Sequence, residues 1–186
     1  MLMLNDKLLT LAFGLLFLLM IACGDSPDTD LAKTATPPVV KEMSRSAAFI
    51  DYAASTTMLQ AELARLATER AQSEEVKALS AEMLEFYNRA MKQLQEVAKA
   101  EGLHTSLPDS LGSADKATLE EFGKLTGAEF DERYQAYVYA SQRSQLDHYR
   151  EMLLKAEEEE IRNWVNEMQL QLRARLQLAA QYDSVR

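Results

Sequence analysis

Two histidines, one cysteine and 29 acidic residues set the chemistry open to this chain. A single cysteine excludes an intramolecular disulfide and any Cys-rich zinc site. A carboxylate-bridged di-iron or di-manganese centre in a helical bundle needs a Glu on each of two helices and Glu-x-x-His on each of the other two. That motif occurs once, as Glu101-Gly102-Leu103-His104. Gly102 is a helix C-cap candidate and should turn the chain between the two side chains. Before the second histidine, His148, stand Gln145 and Ser144, neither a usual ligand. Glu151 follows three residues on and can share its face, but in the reverse order. Both histidines are therefore predicted at the surface or its boundary, with no metal site. No Gly-rich phosphate loop, Ser-His-Asp set or nucleophile motif is present, so no catalytic residue and no cofactor is implied. The charge balance, 20 basic against 29 acidic residues for a net −9, disfavours nucleic acid as a partner.

The elements that would position such residues read as helices. From Ser46 on, Pro108 is the only proline, good helix formers dominate, and no period-2 run stands out. A first helix is predicted from Ser44 or Ser46 as N-cap to about Arg70, with an apolar stripe of Ile50, Ala53, Ala54, Met58, Ala61, Leu63, Leu66 and Ala67. Ser73 should cap a second, with Glu74 and Glu75 in its first turn. Its stripe runs Val76, Leu79, Met83, Tyr87, Ala90, Leu94, Val97, and Gly102 should end it. A short helix follows, about Ala114 to Leu125, broken by Gly127. A third long helix from near Ala128 carries Phe130, Tyr134, Tyr137, Val138, Ser141, Tyr149, Met152 and Leu153. A fourth carries Ile161, Trp164, Val165, Met168, Leu172, Leu176, Ala179 and Tyr182. No Gly or Pro separates these last two. A turn near Ala156 to Glu158 is preferred, because one doubled helix would leave half its apolar stripe unburied. The tyrosines at 134, 137, 139 and 149 are expected to pack in the core with their hydroxyls reaching the surface. The fold class predicted is all-α: a four-helix bundle over 46–186, with the extra short helix in a long middle connection, the connectivity of ferritin-like bundles.

The residues before the bundle read as an address. Leu8 to Ala22 is apolar apart from Thr10 and Gly14. It is short of the roughly 18–20 residues a membrane span needs and fits a secretory signal over 1–22. Met20-Ile21-Ala22-Cys23 then resembles a bacterial lipobox. That resemblance implies cleavage before Cys23 and acylation of Cys23. Residues 23–45, with Pro27, Pro37 and Pro38, read as a flexible tether. The expected location is the bacterial cell envelope, on the periplasmic or outer-membrane side, with the membrane engaged through lipid on Cys23.

Three strings carry a wider resemblance: Phe49 to Leu66 (FIDYAASTTMLQAELARL), Ser73 to Met83 (SEEVKALSAEM), and Gly127-Ala128-Glu129-Phe130-Asp131 followed by Tyr134. The stretch from about Ser46 to Ala179 resembles the bacterial domain-of-unknown-function family 4142, a ferritin-like helical group of mostly secreted or envelope proteins. The resemblance implies a fold and an address, and no activity. It also implies interior Asp-His pairs after the second-helix methionine and in the third helix, and a histidine in the fourth. This chain departs at each: Tyr87 stands for the first histidine, Ser141-Gln142 for the second pair, and Arg175 nearest the last. Gln60 stands where an acid is frequent, while Glu62 is kept. Glu62 and Glu85 are expected at the helix boundary, half solvated; the alternative draws them into an interior polar cluster with Tyr87, Gln142 and Arg175, in which Arg175 and Gln142 satisfy the two acids in place of a metal. The expected role is a non-catalytic binding or interaction body, whose partner is an envelope protein, a second copy of itself or a small apolar ligand. The alternative is a ferritin-like metal oxidoreductase or storage protein with a degenerate site.

Overall fold

The structure is a computed structural model that describes the backbone of residues 43–185 and the side chains of residues 43–177. The signal, Cys23 and nearly all of the tether lie outside the described residues, as do the side chains of Ala179 and Tyr182. The elements are α1 (Arg45–Arg70), α2 (Glu74–Ala100), a 3-10 turn (His104–Ser106), α3 (Ser113–Lys124), α4 (Gly127–Leu153) and α5 (Glu159–Val185). The described residues contain no strand. The fold is all-α, a bundle of α1, α2, α4 and α5 with α3 in the middle crossover, as the periodicity predicts. Each bundle helix is about 40 Å long at 1.5 Å per residue. None of the described helices is long and apolar enough to cross a membrane.

The boundaries have local causes. Ser44 caps α1 by accepting from the Ala47 N–H at 3.1 Å, and Ser73 caps α2 by accepting from the Val76 N–H at 3.2 Å. Glycine ends α2: Gly102 takes φ +67°, the Leu103 N–H donates to the Ala98 carbonyl at 2.6 Å, and the Gly102 N–H donates to Lys99 at 3.2 Å. That pair of bonds satisfies carbonyls the helix would otherwise leave open. Gly127, at φ +61°, starts α4 in the left-handed region. A Cβ there would stand 3.1 Å from Gln72 Oε1. The unpunctuated acidic stretch does turn. Ala156 N–H donates to the Met152 carbonyl at 2.8 Å, and Arg162 Nη1 reaches back to the Ala156 carbonyl at 3.2 Å. Ser46 sits beside Glu158 and holds its carboxyl below the usual range, against the opposing effect of burial.

α1 packs most extensively on α2, and α4 on α5; α2 closes on α5 and α1 on α4. The core runs through all four. Ile50, Leu63, Met83, Leu94, Phe130, Ile161, Met168 and Leu172 are essentially inaccessible. Phe49, Tyr149 and Trp164 form an edge-to-face trio with centroids 5.5–6.1 Å apart. Of the seven stripe positions predicted on α2, Leu79 and Val97 are only half-buried, while Ser80, Phe86 and Ala98 are buried too. On α1 the buried face includes the polar Thr57 and Gln60, while Met58, Ala61 and Leu66 are only half-buried.

One acidic side chain ties the two halves together. Asp131, on the first turns of α4, accepts from the Gln72 N–H at 3.0 Å and from the Ser73 N–H at 2.8 Å. It thus supplies acceptors to the turn between α1 and α2. Burial works to raise its pKa, but the bonds from Ser73 and Gln72 outweigh burial and hold it below the usual carboxylate range.

Candidate functional site

A polar group sits inside the bundle at the positions where the resemblance implied metal ligands. Tyr87 and Gln142 are 0% and 1% exposed. Gln142 Nε2 donates to Met83 Sδ at 3.2 Å, and Gln145 Nε2 donates to the Tyr87 hydroxyl at 3.2 Å. Burial pushes the Tyr87 phenol up to about 12, against the opposing effect of its hydrogen bonds to Gln145 and Gln142. Tyr134 and Tyr149 stand close enough for their phenols to feel that of Tyr87, and burial raises both well above the ordinary value. Each of the three is a neutral hydroxyl at any physiological pH.

Glu62 and Glu85 stay out of the interior, as expected for helix-boundary acids, and the alternative that draws them into the cluster is corrected. Glu62 pairs with Arg65 at 2.7 Å, with 39% of its side chain exposed. Glu85 is farther out, paired with Arg89 at 3.5 Å and 76% exposed. Both lie on helix flanks where i,i+3 and i,i+4 arginines solvate them better than a core would. Arg175 is half-buried. It pairs with Glu82, not with Glu62 or Glu85, and its Cζ lies 4.2 Å over the Phe86 ring. Gln142 likewise meets a thioether and a phenol instead of a carboxylate. The interior cluster is therefore Tyr87, Gln142 and Gln145, with Arg175 at its edge.

Gln145 was the member that sequence reasoning passed over. Its signal is the spacing Gln142-x-x-Gln145, which puts two amides on one helix face. The tyrosine expectation needs a second correction. Rings 134 and 149 pack in the core, but their hydroxyls are buried and have no partner among the described residues. The Gln142 and Gln145 side-chain carbonyls are unpartnered in the same way.

A phenol, two primary amides, a thioether and a guanidinium do not suit iron or manganese, which take carboxylates and imidazoles. The described residues bring no three His, Cys, Asp or Glu side chains together as a metal cage. His104 is exposed in the 3-10 turn beyond Gly102, so Glu101 and His104 do not form a ligand pair. His148 is exposed, stacked on Tyr52 at 4.6 Å, with Nδ1 3.0 Å from the Ser144 carbonyl. Glu151 pairs with Lys155, which lowers its carboxyl.

On the face between α1 and α4 a groove of about 460 Å³ reaches one of these amides, Gln145, from outside. Gln60 and Gln145, 2% and 1% exposed, form part of its wall, with Tyr52 and Tyr137 also lining it. Gln145 thus lines the groove while hydrogen-bonded to the interior phenol of Tyr87.

No curated protein and no solved structure matches this chain significantly. The model of one family does, a domain of unknown function (DUF4142), over residues 30–182. The match begins upstream of α1, inside the stretch read as tether, and runs nearly to the end of α5. By a match of that extent, the chain belongs to the DUF4142 family.

Proposed function

We propose that this protein is a lipid-anchored component of the bacterial envelope whose helical bundle is a non-catalytic binding body. The observation that carries the second half is the character of the bundle interior. Tyr87, Gln142 and Gln145 are a hydrogen-bonding set with no carboxylate or imidazole, and their phenol stays protonated. Such groups recognise and orient; they supply neither a nucleophile activated by a base nor a hard-metal cage. The anchor rests on the chain's one cysteine, which directly follows the apolar run Leu8 to Ala22. Acyl chains contribute about 0.8 kcal/mol per buried CH₂, so more than one on Cys23 gives durable attachment. The net charge of −9 agrees with a body held off anionic lipid and away from nucleic acid.

The anchor is tested by mass spectrometry of the amino-terminal peptide from membranes of cells making the full chain. The mature peptide is expected to begin at Cys23 and to carry acyl mass. Cys23→Ala is expected to move the protein out of the membrane fraction. A mature Cys23 bearing no acyl group, or a chain cleaved elsewhere, contradicts the reading.

A further inference from the structure

We propose that the groove between α1 and α4 is a binding site for a neutral saccharide. This rests on the reading of the bundle as a binding body and names its ligand class. The wall spans residues 52–60 of α1 and 137–145 of α4. The eight helical rises along each span make it about 12 Å long. With a volume of about 460 Å³, it has room for a disaccharide.

The lining decides the ligand class. Ser141 donates to the Val138 carbonyl at 3.0 Å and Thr56 to the Tyr52 hydroxyl, which leaves those two as acceptors, whereas Ser55 and Ser144 present hydroxyls that can both donate and accept. Ligand hydroxyls match that double capacity. Gln145 is committed to the interior, where its Nε2 donates to Tyr87. The Asp115 carboxylate and the Thr56 and Ser141 oxygens remain as acceptors, so an occupant rich in hydrogen-bond donors matches the wall. An apolar ligand would displace water from these groups and return no hydrogen bond. Anions are disfavoured as well. Among the described residues the one charged lining residue is Asp115, at the start of α3, and no basic side chain lines the groove. Phosphate, nucleotide and carboxylate ligands would meet a carboxylate.

Two tyrosines supply the apolar surface that the C–H faces of a pyranose need. One face of Tyr52 is covered by His148 at 4.6 Å, and the residue also lines the groove. Tyr137 is braced edge-on by Phe122 at 5.3 Å and hydrogen-bonded to Gln60. Both rings are thus held before a ligand arrives, which lowers the entropic cost of binding. Leu59 and Ala140 complete the apolar part of the wall.

The test is saturation-transfer NMR on the full-length protein in a detergent without a sugar headgroup, with maltose and N,N′-diacetylchitobiose as probes. Expected is transfer to ring protons of at least one disaccharide, saturable with a dissociation constant of about 1 mM or tighter. Ser144 is exposed, so Ser144→Phe fills the groove without disturbing the core and is expected to weaken binding at least about tenfold. Unchanged circular dichroism separates that loss from misfolding. No transfer to either sugar, or transfer undiminished in Ser144→Phe, overturns the proposal. The acylation of Cys23 is read separately, so a groove that ignores sugars leaves the anchored-body reading standing.

Discussion

Tyr149→Ala is expected to lower the unfolding free energy by about 3–5 kcal/mol, whereas Tyr149→Phe should be neutral or stabilising by roughly 1 kcal/mol. The two substitutions separate what the ring does from what the hydroxyl does. The ring is fully buried and packs at 5.8 Å on Phe49 and 5.5 Å on Trp164, joining α4 to α1 and α5. Deleting it opens a cavity among three helices whose backbones cannot collapse far. The hydroxyl has no hydrogen-bond partner among the described residues, and burial raises its pKa well above the ordinary value. Removing it relieves an unsatisfied group. Urea unfolding followed by circular dichroism measures both. A loss of more than about 1 kcal/mol in Tyr149→Phe would show that the hydroxyl is satisfied in solution.

Asp131→Asn is expected to cost about 2 kcal/mol at neutral pH, a fall in Tm of roughly 4–8 °C. The amide keeps one acceptor but faces its NH₂ toward one of the two backbone donors, Gln72 N–H and Ser73 N–H. The negative charge at the positive end of α2 is lost as well. The pH dependence has a definite sign. Asp131 has a lower pKa folded than its ordinary value of 3.8, so its contribution is fully present above about pH 5. It disappears as the pH falls through that lowered value. The stability gap between wild type and Asp131→Asn should therefore be constant from about pH 8 to pH 5 and close below about pH 4. A gap that persists at pH 2 would show that the loss comes from packing.

Much of the fold was legible because helix signals are local. Ser44 and Ser73 cap where their sequence positions suggest, and Gly102 and Gly127 take the positive φ that glycine permits. The strings Ser73-x-x-Val76-Lys77-x-Leu79 and Gly127-x-x-Phe130-Asp131-x-x-Tyr134, read separately in the sequence, meet in space. Ser73 gives its N–H to Asp131, while Phe130 and Tyr134 enter the core. These motifs build a junction between the α1–α2 turn and the start of α4. Sequence periodicity could not reveal that pairing, since the partners stand 58 residues apart.

The interior polar group was only half legible. Tyr87 falls on the apolar stripe of α2, and Gln142 was placed by the family resemblance. Helical spacing alone does not distinguish a flank from the face that turns inward, so it leaves an interior alternative open for Glu62 and Glu85. Arg65 and Arg89, one turn away, were the signal that both acids are satisfied at the surface. Gln145 was hidden by its type, since a glutamine carries no periodicity signal and is usually exposed, and Gln60 was marked only by the family resemblance. Only the approach of α1 to α4 puts both on the wall of one groove.

The central claim is that amides and phenols occupy the place of a metal cage inside this bundle. It is tested most directly by metal analysis of the full-length protein purified from membranes and exposed to excess iron(II) and manganese(II) before desalting. The account predicts iron and manganese far below one equivalent per chain, with no change in Tm on metal addition. Near-stoichiometric retention of either ion, lost on Tyr87→Ala or Gln142→Ala, would contradict it.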